Sequence, residues 1–287
     1  MKLSKIAIIG SGTMGQGIAQ WFAQQDVIVE LVDVKKEFVE KALINIFSSW
    51  ERLLKKGKFS QSQIDQFKEN ITLKNINEID PQIDLVIEAI IEDINVKKQV
   101  FKELDSICNE STIFASNTSS IPITEISNEL PITRQENFIG IHFFNPAPIM
   151  KLVEIIIGAN SSSELGKEVA KWFDQHNKVS AICKDRPGFI VNRVARNFYG
   201  EPLRIVGDYD QAKIQNVDQV LKLVGGFKMG PFELMDLIGI DVNYMVTESV
   251  YKAFDKNPRF EPHPLQKEMV DKKRLGKKSG KGFYDYE

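Results

Sequence analysis

KIAIIGSGTMGQGIAQWFAQ, residues 5–24, reads as a short apolar strand, a tight glycine turn and the start of an amphipathic helix. Gly10, Gly12 and Gly15 give the spacing G-x-G-x-x-G, with Ser11, Thr13 and Met14 between them. The first glycine permits the turn, the second lets backbone approach a pyrophosphate, and the third lets helix pack closely on strand. The helix N-terminus then offers free N–H groups and a partial positive charge to phosphate oxygens. Alone the pattern is weak, but VIVELVD (residues 27–33) follows as a second strand and ends in Asp33, 18 residues after Gly15. An acid at that distance meets the adenosine ribose hydroxyls and repels a 2′-phosphate. NAD is therefore expected over NADP, although Lys35 and Lys36 follow at once and work in the other direction.

The chain around this unit has 287 residues, a length that suggests two domains. It is 43% hydrophobic and 26% charged, an ordinary globular composition. A net charge of -2 gives no electrostatic basis for nucleic-acid or anionic-membrane binding. No apolar run approaches the roughly 18 residues of a membrane span. MKLSKIAIIGSG passes straight into the glycine turn, so no signal peptide is expected. Cys108 and Cys183 are isolated and fit no metal or disulfide spacing, which favours a reducing, cytoplasmic compartment.

Strand runs alternate with helical patterns over the first two-thirds, which predicts an α/β fold with a parallel sheet. The expected strands are Lys5–Ile9, Val27–Val32, Leu85–Ile90, Thr112–Ser116, Phe138–Phe143, Leu152–Ile157 and Ser180–Ile182. Between the second and third lies a helical region over Lys36–Lys68, longer than a plain crossover, with Gly57 suited to a bend between two helices. Arg52, Lys55, Lys56 and Lys58 give it a basic face, and a solvated helix surface is the plain account of that face. After CKDRPGF the texture becomes helical. The expected domains are residues 1–185, Rossmann-like with the inserted helical pair, and a smaller all-α domain over 186–287. Pro187 fits a first helical turn with Asp185 as its cap. The closing RLGKKSGKGFYDYE has too many glycines for a helix, and its aromatics suggest a tail held by packing.

FIGIHFFNPAPIMKLVEIIIG (residues 138–158) is almost wholly apolar, yet it contains His142 and Glu154. A histidine in such a strand is most often a core residue with one hydrogen bond. Here it lies near the C-terminal end of its strand, the edge at which open α/β sheets bind ligands. The prolines of NPAP stop that strand, and a turn of this length can bring Glu154 back beside it. An unpaired carboxylate within KLVEIIIG would cost several kcal/mol, and the imidazole is the nearest partner. A carboxylate on one ring nitrogen fixes the tautomer and stabilises the imidazolium, as a base collecting a proton from an alcohol requires. His176, in polar DQHNK, is expected at a helix end, and His263, between prolines, is expected to be exposed. No histidine spacing suits a metal.

IFASNTSSIPI places Ser116, Asn117, Thr118, Ser119 and Ser120 directly after a strand, at the same edge. A capped loop accounts for them, and so does a set of groups holding nicotinamide and substrate. Asn192, early in the helix after RPGF, is either an exposed polar residue or a donor to a carbonyl or alkoxide.

The chain resembles the (S)-3-hydroxyacyl-CoA dehydrogenases, in particular the short single-function 3-hydroxybutyryl-CoA dehydrogenase type. The matching stretches are IAIIGSGTMGQGIA, DLVIEAIIED, ASNTSS, GIHFFNPAPIMKLVEII, DRPGFIVNR, GPFELMDLIGIDV and GKKSGKGFYDY, in the family's order and over essentially the whole chain. The resemblance implies an NAD-binding Rossmann-like domain, a helical domain carrying a homodimer contact, and an acyl-CoA substrate. It places the catalytic His–Glu pair on His142 and Glu154, the catalytic serine on Ser119 and the asparagine on Asn192. It implies cofactor contacts from Gly10–Gly15, Asp33, Glu92, Lys97, Ser119, Asn145 and Lys278, and CoA-phosphate contacts near Lys56. Acyl length is left open, 3-hydroxyadipyl-CoA included. A free hydroxy acid, bound through Arg193 or Lys151, is the rival substrate.

Overall fold

The computed structural model describes residues 1–286 and comprises two compact units, Met1–Arg186 and a second starting at Pro187. In the first unit eight strands form one sheet: β1 (Lys5–Ile9), β2 (Ile28–Val32), β3 (Ile71–Lys74), β4 (Leu85–Glu88), β5 (Ile113–Ser116), β6 (Phe138–Phe143), β7 (Leu152–Ile157) and β8 (Val179–Lys184). Their order is β3-β2-β1-β4-β5-β6-β7-β8. All neighbours are parallel except β6 and β7. The chain leaves β1 for β2 on one side and returns with β4 on the other, so the switch point of the sheet lies at the β1 and β4 C-termini. β3 is the one strand absent from the sequence reading: ITLK is four residues long and lies directly against a helix end.

The helices are α1 (Thr13–Ala23), α2 (Lys36–Lys55), α3 (Gln61–Glu69), α4 (Ile94–Ile107), α5 (Ile123–Ser127), α6 (Ile132–Glu136) and α7 (Ser163–Gln175). α2 and α3 are the inserted pair, with Gly57 at φ +66° between them. β4, β5 and β6 are buried along their whole length, the mark of strands covered on both faces. Under the β6 end, Trp21 and Phe22 of α1 meet Phe143, Trp172 and Phe173, with Trp21 and Phe173 stacked at 5.4 Å and Phe22 and Trp172 at 5.5 Å. Each such buried ring contributes roughly 1.5–3 kcal/mol. The cluster fixes α1 and β6, the elements that carry the glycine loop and His142.

The second unit is helical: α8 (Val191–Val206), α9 (Gln211–Leu223), α10 (Pro231–Ile238), α11 (Ile240–Ala253) and α12 (Pro264–Asp271). Asp185 and Pro187 differ from expectation. α8 begins at Val191, beyond Pro187, and the Asp185 carboxylate accepts instead from the backbone N–H groups of Ile123 and Thr124 at 3.0 and 2.8 Å. It caps α5, 62 residues earlier, because β8 ends beside that helix. The tail is tied down as its aromatics suggest. Phe283 is fully buried against Phe232, and Tyr286 Oη donates to Asp236 Oδ2 at 2.9 Å. Lys277–Ser279 still makes one 3-10 turn between two left-handed glycines, Gly276 and Gly280. His263 is half-buried, not exposed: its Nδ1 accepts from the Leu265 N–H and caps α12. No helix among the described residues is long and apolar enough to cross a membrane.

Candidate active site

The glycine loop is built by close approach. Gly10 has φ +105°, and a Cβ there would lie 2.6 Å from the Ala89 carbonyl oxygen at the end of β4. A Cβ on Gly15 would lie 1.8 Å from the Gly10 backbone oxygen, so the helix meets the strand end only if residue 15 is glycine. A Cβ on Gly12 would meet nothing within 4 Å. Gly12 is also the N-cap of α1 and supplies no side-chain cap, so the first N–H groups of α1 stay available beside open space. At the end of β2, Asp33 Oδ2 accepts from the Ser11 N–H and Oγ–H, both at 2.7 Å, and Oδ1 from the Val34 N–H. A dinucleotide fits this cradle: pyrophosphate on the α1 N-terminus, ribose hydroxyls on Asp33.

Strand register puts the rest of the site on the same edge. Ile9, Glu88, Ser116 and Gly140 are level across β1, β4, β5 and β6. His142 stands two residues beyond that row, and Glu154 is its direct partner on antiparallel β7. His142 Nδ1 and Glu154 Oε2 are 2.7 Å apart, with Glu154 wholly buried and His142 6% exposed. A carboxylate can only accept, so Nδ1 carries the proton and Nε2 is the basic nitrogen. The 144–151 turn that closes this hairpin carries Asn145. It packs on α1, with Gly17 close enough that a Cβ would lie 3.3 Å from Ala147 Cβ. Lys178, also buried, donates to the Ala147 and Met150 carbonyls at 2.5 and 2.7 Å and fixes the turn from below.

A second buried network lies between the cradle and the serine loop. Glu88 Oε1 accepts from Lys97 Nζ at 2.6 Å, and Glu88 Oε2 accepts from Ser116 Oγ at 2.6 Å. Lys97 is 1% exposed and reaches Glu92 Oε2 at 3.2 Å. Glu92 Oε1 accepts from Thr118 Oγ1, Ser120 Oγ and the Ser119 N–H. Burial pushes the Glu92 carboxyl up, but the Lys97 charge and the Thr118 and Ser120 hydroxyls more than offset it and hold it below the usual range. Ser119 is thus placed by its backbone. Asn117 Oδ1 accepts from the Phe143 N–H at 2.9 Å and joins the loop to the residue after His142. Glu88 belongs to no motif of the sequence taken alone; its signal is an acid that ends an apolar strand, nine residues before a lysine on the following helix.

In the second unit Asn192 lies in the first turn of α8, half-buried. Lys278 Nζ is 2.7 Å from Asp241 Oδ2, so its donors are shared with that carboxylate. In the first unit Arg52, Lys55, Lys56 and Lys58 are all exposed, and none forms an ion pair among the described residues. His176 ends α7, stacked on Trp172 and bonded to its carbonyl. Burial pushes the Cys108 thiol up to about 11 and the Cys183 thiol up to about 12, so neither is a thiolate nucleophile at neutral pH. Among the described residues no group of three His, Cys, Asp or Glu side chains could hold a metal ion.

A dinucleotide cradle and a buried imidazole–carboxylate pair on one sheet edge define a nicotinamide-dependent dehydrogenase. Residues 5–186 match the 3-hydroxyacyl-CoA dehydrogenase NAD binding domain, and residues 188–286 match the 3-hydroxyacyl-CoA dehydrogenase C-terminal domain. The chain belongs to the 3-hydroxyacyl-CoA dehydrogenase family. It is 39% identical over 292 residues to the mitochondrial hydroxyacyl-coenzyme A dehydrogenase of Rattus norvegicus, covering 99% of this chain and 91% of the relative. It is 41% identical over 287 residues to the 3-hydroxyadipyl-CoA dehydrogenase of Escherichia coli, covering all of this chain but 60% of that protein's length. The crystal structure of (S)-3-hydroxybutyryl-CoA dehydrogenase from Ralstonia eutropha superposes with a TM-score of 0.90 at 34% identity, with both chains covered in full.

Proposed function

We propose that the protein oxidises short-chain (S)-3-hydroxyacyl-CoA esters such as 3-hydroxybutyryl-CoA to 3-ketoacyl-CoA, and runs the reverse, with His142 as the acid–base. The observation that carries this reading is the cross-strand His142–Glu154 pair beyond the row of strand ends that bears the glycine loop. Bound NAD supplies the hydride acceptor. The residues of the chain handle the proton. His142 Nε2 accepts it from the 3-hydroxyl, while Glu154 keeps the other nitrogen protonated and stabilises the imidazolium. In reverse the imidazolium returns the proton to the forming alkoxide. Ser119 and Asn192 hold the substrate oxygens. Gly10–Gly15, Asp33, Glu92, Lys97, Asn145 and Lys278 hold the cofactor, and the unpaired basic face around Lys56 receives the CoA phosphates. Lys278 must share its charge with Asp241 to do so.

Two further features belong to the same reading. The exposed apolar side chains Val194, Ile205, Val220, Leu223 and Val224 of the helical unit support a homodimer formed through that unit. Two free thiols and no disulfide support a cytoplasmic site of action. A dicarboxylic substrate, 3-hydroxyadipyl-CoA, is the second reading, favoured by the Escherichia coli relative. The test is NADH oxidation with acetoacetyl-CoA, 3-oxoadipyl-CoA and free acetoacetate. Turnover of a CoA ester is expected, with acetoacetate slower by orders of magnitude. Equal use of acetoacetate would assign a free-acid dehydrogenase instead.

A further inference from the structure

The second unit contains a cleft lined by Arg196, Tyr199, Arg204, Thr247, Arg259 and His263, among others. Its three arginines are unequally compensated. Arg204 Nη1 pairs with Glu201 Oε1 at 3.0 Å, and Arg259 Nε donates to Asn197 Oδ1 at 3.2 Å; both side chains are exposed. Arg196 is 6% exposed and forms no ion pair among the described residues. Its Nε donates to the Asn192 carbonyl at 3.1 Å, and its Nη1 to the Asn243 carbonyl at 2.9 Å and to Thr247 Oγ1 at 2.8 Å. Those bonds use three of its five N–H groups. Its Nη2 has no acceptor among the described residues. Glu261 also lines the cleft, but it is exposed and pairs with none of the three arginines.

A guanidinium largely taken out of water without a counter-charge is costly; three neutral acceptors and the Tyr199 ring, 5.1 Å away, offset part of that cost, and an anion on the remaining N–H groups would offset more. The surroundings agree that the positive charge is unbalanced. Burial pulls the Arg196 guanidinium down to about 10 with no carboxylate opposing it. Burial also pulls His263 down, and the charge of Arg204 adds to the effect against the weaker pull of Asp208. Guanidinium groups suit oxyanions because their N–H groups are planar and rigid.

We infer that this cleft binds a small oxyanion, a carboxylate or phosphate group, which accepts from Arg196 Nη2 and is held at the rim by Arg204 and Arg259. The oxyanion has two possible sources, the far carboxylate of a dicarboxylic acyl-CoA or a free anion such as inorganic phosphate. The first source rests on the acyl-CoA reading above and the second does not, so anion binding and dehydrogenase activity can fail separately. The experiment is thermal unfolding of the full chain with NAD present, titrated with phosphate or adipate against sodium chloride at equal ionic strength. The wild type is expected to gain about 2–4 °C, saturably. Arg196→Met should lose that gain. So should the surface variant Arg204→Gln/Arg259→Gln, which keeps the test open if Arg196→Met fails to fold. If the anion is part of the substrate, the surface variant also lowers kcat/KM for 3-oxoadipyl-CoA relative to acetoacetyl-CoA by about tenfold. An unchanged ratio with the gain lost assigns a free anion. A flat wild-type titration, or variants that keep the gain, would overturn the site.

Discussion

His142 and Glu154 face each other as a direct cross-strand pair on β6 and β7, with Nδ1 and Oε2 2.7 Å apart and the carboxylate wholly buried. The pairing is a product of register: a slip of one residue in either strand would turn that strand's side chain to the face opposite its partner. His142→Gln should therefore lower kcat by about 10²–10⁴-fold. NAD affinity, read by fluorescence titration, should change little, because the cradle lies on β1, β2 and α1. Glu154→Gln keeps an acceptor for Nδ1–H but removes the charge, and should lower kcat by a smaller factor. Glu154→Ala also strands a buried N–H and should lose about 1–3 kcal/mol of stability. A His142→Gln enzyme within a few-fold of wild type would remove the proposed base.

Asp33 gives both oxygens to the cradle, two bonds to Ser11 and one to the Val34 N–H. It therefore shapes the loop as well as facing the ribose. Asp33→Ala should reduce kcat/KM for NAD by about ten- to a hundredfold, the value of one or two charged hydrogen bonds. It should cost NADP less, because the repelling charge is gone while Lys35 and Lys36 remain. The ratio of the two specificity constants is the measurement, and a ratio that stays fixed refutes the role.

Lys97 is the cation between Glu88 and Glu92. Removing it leaves Glu88 charged in a site with no exposure, so Lys97→Met should destabilise by about 3–5 kcal/mol in urea unfolding. Glu88→Leu in the same chain should recover much of that loss. The network also sets an acid limit. The folded carboxyl of Glu92 sits below its ordinary 4.5, so its contribution is present above that value and fades as pH falls through the lower folded one. That part of the acid limb should vanish in Lys97→Met. Parallel acid limbs for the two proteins would show that Glu92 is not held by Lys97.

Local rules make the cradle legible before any coordinates. Gly10, Gly12 and Gly15 answer to backbone sterics, and Asp33 lies at a fixed distance from them along a strand–helix–strand unit. The hairpin that joins His142 to Glu154 follows from the turn length between two apolar runs. What the sequence hides is long-range. Asp185 precedes a proline and suggests a cap for the next helix, yet β8 delivers it to α5. Lys178 stands in polar HNKVS, where nothing local marks it as buried, but the ring faces of Trp21 and Phe143 cover it at 4.8 and 5.6 Å. Arg196 is one more basic residue on an amphipathic helix until α11 closes over it. Charges buried by tertiary packing leave no periodic trace, because their partners are carbonyls and rings from other elements.

Lys178 gives the last prediction, in which the sign runs against the usual case. No carboxylate pairs with it among the described residues, and burial pulls its ammonium from 10.5 down to about 8. Between those values the unfolded chain holds a proton that the folded chain has released. Unfolding then takes up a proton, and this residue makes stability rise with pH. Lys178→Met removes that dependence. It also leaves the Ala147 and Met150 carbonyls without their donor, a loss of about 1–3 kcal/mol for each group that stays buried. Below pH 8 the loss is partly offset, because a buried unpaired charge has gone. The deficit of Lys178→Met against wild type should therefore widen as pH rises from 7.5 to 9.5. Urea unfolding at three pH values in that window measures it. A deficit that stays constant or narrows would mean that Lys178 keeps an ordinary lysine titration and that burial beneath the turn does not lower it.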